Sequence, residues 1–149
     1  MRLGQSSSRL EDRSETRQPP FRVLPVDDQP FFLDLARDLL TSAGFEVLTA
    51  SSGTAGLEVA LAERPDAILL DVEMPEIDGF ETCRLLKANA ATTAIPVVIL
   101  TSALDARLKD RAAEAGAAAS FLKAISPDRL KEILRVALGA ARDRGKTAA

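Results

Sequence analysis

The sequence predicts an α/β fold, a doubly wound parallel sheet of five strands flanked by five helices. Three observations support this class. Short apolar runs recur five times along the chain, stretches with helical spacing separate them, and the runs are apolar almost without interruption. Strands that alternate with helices pair in parallel through right-handed crossovers. Near-continuous apolar strands are typical of a sheet that is covered on both faces.

The predicted strands are short and rich in aliphatic residues. In chain order they are FRVLPV (21–26), FEVLTA (45–50), DAILL (66–70), PVVIL (96–100) and AASFL (118–122).

The helical segments carry start and stop signals. In the first, one face is predicted from four apolar positions, and Gly44 predicts the end of the helix. Those four positions are Phe32, Leu35, Leu39 and Ala43. The GTAG motif at 53–56 is too short for a nucleotide-binding loop and indicates a helix start.

The last helix is predicted from Ser126 as N-cap and Pro127 in the first turn. Its buried stripe is expected to consist of Leu130, Ile133, Leu134, Ala137 and Leu138.

Length and composition indicate one ordinary globular domain. The chain has 149 residues, 46% hydrophobic and 28% charged, with a net charge of −3. Neither DNA binding nor membrane insertion is expected from this charge and from the short apolar runs. We expect a disordered tail over 1–20, a domain over 21–141 and a C-terminal tail over 142–149. Since the N-terminal stretch lacks the apolar core of a signal peptide, a cytoplasmic location is expected.

Two features of composition exclude kinds of chemistry. The chain has no histidine, which removes histidine acid–base catalysis and most zinc sites. Cys83 is the one cysteine, so no disulfide forms within the chain, and its helical setting predicts a small core residue.

The chemistry-bearing residues fall where the predicted strands end. The first strand is followed by Asp27 and Asp28, the third by Asp71, the fourth by Thr101 and the fifth by Lys123. In doubly wound sheets, ligands bind beyond the carboxyl ends of the strands. Each residue alone has an ordinary interpretation as a helix cap, a turn residue or a solvated charge. Their convergence on one edge favours a site.

Carboxylates brought together in this way require neutralisation. Like charges ~4 Å apart repel by about 4 kcal/mol at an effective dielectric constant near 20. Oxygen ligands without nitrogen or sulfur favour Mg²⁺, which also binds phosphate oxygens. A lysine and a threonine opposite such a cluster are typical of phosphoryl transfer, with Asp71 as the nucleophile.

From about Phe21 to Leu138 the sequence resembles the receiver domain of two-component response regulators. The motifs that carry this resemblance are VDDQP (26–30), LLDVEMPEIDGFE (69–81), PVVILTS (96–102) and FLK (121–123). It implies a flavodoxin-like fold with strand order 2-1-3-4-5. The segment DGFETCRLLKANAATTAIPVVILT is similar to receivers attached to diguanylate cyclases.

The resemblance implies a role for each converging residue. Asp71 would be phosphorylated by a histidine kinase or a histidine phosphotransfer protein, and a downstream protein would read the result. Mg²⁺ would bind Asp28, Asp71 and the backbone carbonyl of Glu73, with Asp27 assisting. Thr101 and Lys123 would contact the phosphoryl group.

Three positions depart from the family pattern. Pro25 lies inside the first strand and lacks a ladder donor, so a bulge or a local gap is expected. Ala124 follows the site lysine, where receivers usually have proline with a cis peptide bond. The bond between Lys123 and Ala124 is expected to be trans, which changes how far Lys123 is expected to reach towards the carboxylates. Ser120 replaces the usual aromatic gate, while Phe121 is expected to face the opposite side of the sheet, in the core.

Two other functions remain open at this point. One is a receiver-like adaptor that acts without phosphorylation, as the three departures suggest. The other is a Mg²⁺-dependent phosphatase of the haloacid dehalogenase type. Against it, that family places a second aspartate where this chain has Glu73.

Overall fold

The computed structural model describes residues 20–102, 105–124 and 126–148, with side chains described as far as Gly139. The strands are β1 (Arg22–Val26), β2 (Glu46–Val47), β3 (Ala67–Asp71), β4 (Val97–Thr101) and β5 (Ala119–Leu122). The helices are α1 (Pro30–Ser42), α2 (Gly53–Glu63), α3 (Gly79–Ala88), α4 (Leu108–Ala115) and α5 (Pro127–Ala148). Apart from Pro20, the predicted N-terminal tail lies outside the described residues.

The five strands form one parallel sheet in the order β2-β1-β3-β4-β5. The predicted fold class and strand order are therefore confirmed. β3 lies at the centre, and each of its five residues is buried. Its last residue, Asp71, is in register with Leu100 of β4, while Thr101 is in register with Leu122 of β5. This register places the functional ends of the strands side by side.

Pro25 interrupts the ladder on one side of β1 only. Towards β3 the pairing is continuous, and Pro25 is in register with Leu69. Towards β2, regular pairing stops at Val47 and resumes as a single bridge between Val26 and Ala50. Because the Pro25 carbonyl accepts from the N–H of Ala50 at 3.1 Å, its missing N–H falls on this same side. The expected local gap is present.

Two apolar clusters cover the two faces of the sheet. Alternate residues of the central strands point to opposite clusters, as Leu70 and Leu69 of β3 do. One cluster packs beneath α2, α3 and α4 and includes Phe80 and Cys83, both buried. The other packs beneath α1 and α5. The prediction that Cys83 is a core residue is confirmed.

The buried face of α1 differs from the predicted one. Its fully buried residues are Ala36 and Leu40, whereas Leu35 is 43% exposed. The buried face consists of Phe32, Ala36 and Leu40, which repeat at four-residue spacing and therefore lie on one side of the helix. Relative to the predicted face, it is rotated about the helix axis. Gly44, at φ 96°, ends the helix as predicted.

The start and stripe of α5 agree with the sequence. The Ser126 hydroxyl accepts from the N–H of Arg129 at 3.1 Å, which makes Ser126 the N-cap. Four of the five predicted stripe residues are buried, namely Leu130, Ile133, Leu134 and Leu138. Within the described ranges, no helix is both long enough and apolar enough to cross a bilayer.

Candidate functional site

The candidate site lies at the carboxyl edge of the sheet and is built from residues at the ends of four strands. Asp27 follows β1, Asp71 is the last residue of β3, and Thr101 is the last residue of β4. Lys123 follows β5 and remains attached to the sheet, because its N–H donates to the Thr101 carbonyl at 2.8 Å. Rigid strands therefore fix the backbone beneath each functional side chain.

Three carboxylates meet at this edge. One oxygen from each of Asp27, Asp28 and Asp71 lies within 4.8 Å of the other two. Asp27 is 1% exposed and Asp71 6% exposed, whereas Asp28 is exposed. The Asp27 Oδ1 accepts from the N–H of Gln29 at 2.9 Å, which fixes one oxygen of this carboxylate against the backbone. The cluster is thus buried on one side and open to solvent on the other.

The Lys123 ammonium lies between two of these carboxylates. Its Nζ is 2.5 Å from Oδ2 of Asp27 and 3.5 Å from Oδ1 of Asp71. The lysine side chain is 13% exposed. With Ala124 in place of proline, Lys123 still reaches the acidic cluster.

An aromatic ring from α1 also contacts this lysine. The Lys123 Nζ lies over the ring of Phe32, 4.4 Å from its centroid. The apolar spacing of α1 predicts Phe32 as a core residue only. No sequence signal identifies the contact, because Phe32 and Lys123 are far apart in the chain and meet only through the β2-β1-β3-β4-β5 order.

The carboxyl group of Asp71 has a perturbed pKa. This pKa is raised from 3.8 to about 6, chiefly by burial and secondly by the neighbouring charge of Asp27. The Lys123 ammonium and the N–H of Val72 act in the opposite direction without cancelling the effect. The ionised form of Asp71 is therefore destabilised by its surroundings. A bound cation would offset this destabilisation, and so would a covalent bond to one of the carboxylate oxygens.

The loop from β3 to α3 passes very close to Asp71. The N–H of Gly79 donates to the Val72 carbonyl at 2.8 Å. A Cβ on Gly79 would collide with the Asp71 carbonyl oxygen and lie 2.8 Å from Cα of Val72. Asp78 caps α3 by accepting from the N–H of Glu81 at 2.9 Å. Gly79 thus allows α3 to begin directly against the end of β3.

The remaining predicted residues occupy the surroundings of the cluster. Thr101 is 2% exposed, and Glu73 is exposed in the loop after β3. Phe121 packs against the apolar cluster beneath α1 and α5, as predicted. Ser120 is half-buried and in register with Ile99, on the other face of the sheet.

Fold and site together define a class of protein, α/β domains with an acidic cluster and a facing lysine at the carboxyl edge of a parallel sheet. The sequence model of the response regulator receiver domain matches residues 23–135. The chain belongs to the response regulator receiver domain family, and it is a phosphoacceptor domain of two-component signalling.

Curated relatives agree with this assignment. The chain is 33% identical over 120 residues to the polar-differentiation response regulator DivK of Brucella anthropi, covering 80% of this chain and 98% of DivK. It is 48% identical over 86 residues to the response regulator PleD of Caulobacter vibrioides, but that match covers 58% of this chain and 19% of PleD.

Solved structures show the same fold. A response regulator from Chloroflexus aurantiacus superposes with a TM-score of 0.77 at 32% identity, covering 80% of this chain and 98% of that one. The chemotaxis protein CheY4 of Vibrio cholerae gives 0.74 at 30% identity, covering 78% and 98%.

Proposed function

We propose that Asp71 is the residue that accepts the phosphoryl group in this chain. The observation that carries the proposal is the position of Asp71, a nearly buried carboxylate that faces the Lys123 ammonium inside a cluster of three acids. An Asp71 oxygen attacks the phosphorus of the donor, a new O–P bond forms, and the bond to the leaving group breaks. The donor is a phosphohistidine of a histidine kinase or of a phosphotransfer protein.

Lys123 and Thr101 contact the transferred phosphoryl group. The Lys123 ammonium balances the negative charge that accumulates on the phosphoryl oxygens, and it does so from within a mostly buried site where such a charge is effective. The Thr101 hydroxyl donates a hydrogen bond to one of these oxygens. Hydrolysis of the aspartyl phosphate by water restores the free Asp71 carboxylate.

The residues present fit a divalent cation. The donor set consists of carboxylate oxygens alone, which suits Mg²⁺. Within the described residues, the buried Oδ2 of Asp27 has no hydrogen-bond partner, and it forms an ion pair with the Lys123 ammonium. Asp28, Asp71 and the Glu73 carbonyl would hold the ion, with Asp27 assisting. When bound, Mg²⁺ supplies positive charge to the phosphoryl oxygens.

The output is a protein–protein interaction rather than a reaction on another molecule. We propose that phosphorylation changes the affinity of a downstream protein in the cytoplasm. The only chemistry of the chain is then its own phosphorylation at Asp71 and the hydrolysis that follows. Direct DNA binding is not part of this function, in agreement with the net charge of −3.

Intact mass measurement with acetyl phosphate tests the proposal. With Mg²⁺ present, the wild-type chain should gain one phosphoryl group, and the gain should be lost on standing as the acyl phosphate hydrolyses. An unchanged mass would favour the adaptor that acts without phosphorylation. Sustained turnover of added phosphate esters would instead favour the phosphatase.

Mg²⁺ should bind weakly at the acidic cluster before any phosphorylation, because the ion relieves the repulsion among the three carboxylates. Titration followed by amide NMR should shift the resonances around Asp71. In Asp28→Asn the same shifts should require more Mg²⁺, since one charged ligand has been removed. Asp38→Asn, an exposed change on α1, is the control and should titrate like the wild type. Resonances around Asp71 that do not respond to Mg²⁺ would contradict the assignment.

A further inference from the structure

We infer that Phe32 is a positioning residue for phosphoryl transfer, holding the Lys123 ammonium against the acidic cluster through the face of its ring. This inference rests on the proposed role of Asp71 and Lys123. It concerns a contact between α1 and the end of β5, 4.4 Å from Nζ to the ring centroid.

The position of the Lys123 side chain is set by contacts at its ammonium end. The backbone of Lys123 makes one hydrogen bond to the sheet, through its N–H to the Thr101 carbonyl. Beyond that point the side chain has four rotatable bonds, and a lysine ammonium is a flexible point charge. Its position therefore depends on the groups around Nζ, and among the described residues these include Asp27, Asp71 and the Phe32 ring.

The three contacts differ in how they respond to the reaction. Asp71 loses its carboxylate charge when one of its oxygens becomes bonded to phosphorus in the acyl phosphate. Asp27 belongs to the cluster that would face a cation, so a bound cation would compete with Lys123 for its negative charge. The attraction between a cation and the face of an aromatic ring needs no formal charge on the ring, and it strengthens when both groups are sheltered from water. Phe32 is thus the contact that stays the same before and after transfer.

The packing of Phe32 explains how the ring keeps its place. Phe32 lies against the apolar cluster beneath α1 and α5, and the Lys123 side chain is 13% exposed. One side of the ring is therefore held by the core while its face is presented to the ammonium. The preceding residue, Phe31, points away from the core and is 80% exposed. The two neighbouring phenylalanines form a natural pair of test and control positions.

The test combines a direct view of the contact with a rate. In the wild type and in Phe31→Leu, the ε-methylene protons of Lys123 should show an upfield ring-current shift in NMR spectra. In Phe32→Leu that shift should disappear. Phosphorylation by acetyl phosphate should slow about threefold to tenfold in Phe32→Leu, the range expected for loss of a sheltered cation–π contact, and remain unchanged in Phe31→Leu.

Fluorinated phenylalanines at position 32 separate positioning from packing. They keep the shape of the ring while progressively weakening its attraction for a cation, so the rate should fall stepwise with the number of fluorine atoms. Phe32→Tyr, which retains the ring face, should keep most of the rate. Equal rates across the fluorinated series, in a preparation whose wild type is phosphorylated normally, would overturn the inference. A wild type that takes up no phosphoryl group would instead refute the proposed function.

Discussion

Replacing Asp71 with asparagine should abolish the mass increase that acetyl phosphate and Mg²⁺ produce in the wild-type chain. Asparagine preserves the size of the side chain but removes the anionic oxygen that attacks phosphorus. Asp71 is the acid of the cluster that ends the central strand β3, and it combines near-complete burial with a distance of 3.5 Å to the Lys123 ammonium. Intact mass spectrometry measures the loss, and circular dichroism checks that the variant is folded.

The matched control for this change is Asp38→Asn, which removes an exposed carboxylate of α1. Its phosphorylation should equal that of the wild type. An increase in mass that survives in Asp71→Asn would move the reaction to Asp27 or Asp28, the other two acids of the cluster.

The same Asp71→Asn change should stabilise the metal-free protein at neutral pH. Folding raises the pKa of Asp71 from 3.8 to about 6, mainly through burial. The folded state therefore binds a proton more tightly than the unfolded state, and the charged form of Asp71 opposes folding. A shift of this size corresponds to about 2–3 kcal/mol in the free energy of unfolding. Urea unfolding in the presence of a chelator measures the difference.

The stability difference between Asp71→Asn and the wild type should depend on pH. Below about pH 4, Asp71 is protonated in both states and does not affect stability. As pH rises from about 4 to beyond about 6, the free energy of unfolding of the wild type falls, because the folded state retains a proton that the unfolded state has already lost and must then release it. Asp71→Asn lacks the titration, so its advantage should vanish near pH 4 and reach its full size above pH 7. Asp38→Asn should stay within about 0.5 kcal/mol of the wild type. An Asp71→Asn variant less stable than the wild type at neutral pH would contradict the burial argument.

The fold class was predictable because each strand of the sheet is marked in the sequence by an apolar run. Strands such as β3 are buried on both sides, so their sequences are apolar throughout and their number can be read directly. The order 2-1-3-4-5 across the sheet was instead implied by the resemblance to receiver domains. The face of α1 was harder to predict. Its sequence offers apolar residues over more than half of its circumference, including the exposed Phe31 and Leu35, so periodicity alone did not select Ala36 and Leu40.

The candidate site was predictable where residue type and strand end coincide. Asp27, Asp71 and Lys123 are polar residues directly after or at the end of apolar runs, and their convergence on the carboxyl edge of a doubly wound sheet is what favours a site. The contact of Phe32 with Lys123 could not be predicted in this way. A phenylalanine in a helix is normally a core residue, and only the packing of α1 on the sheet places its ring beside the ammonium.

Chemical mapping of the phosphorylated residue in the wild-type chain offers the sharpest test. Borohydride reduces an acyl phosphate to an alcohol but leaves free carboxylates intact, so an aspartyl phosphate becomes homoserine. After treatment with acetyl phosphate, Mg²⁺ and then borohydride, peptide mass spectrometry should find homoserine at position 71 and aspartate at positions 27 and 28. Homoserine at either of those two positions, with aspartate retained at 71, would show that the phosphoryl group is carried by another member of the cluster.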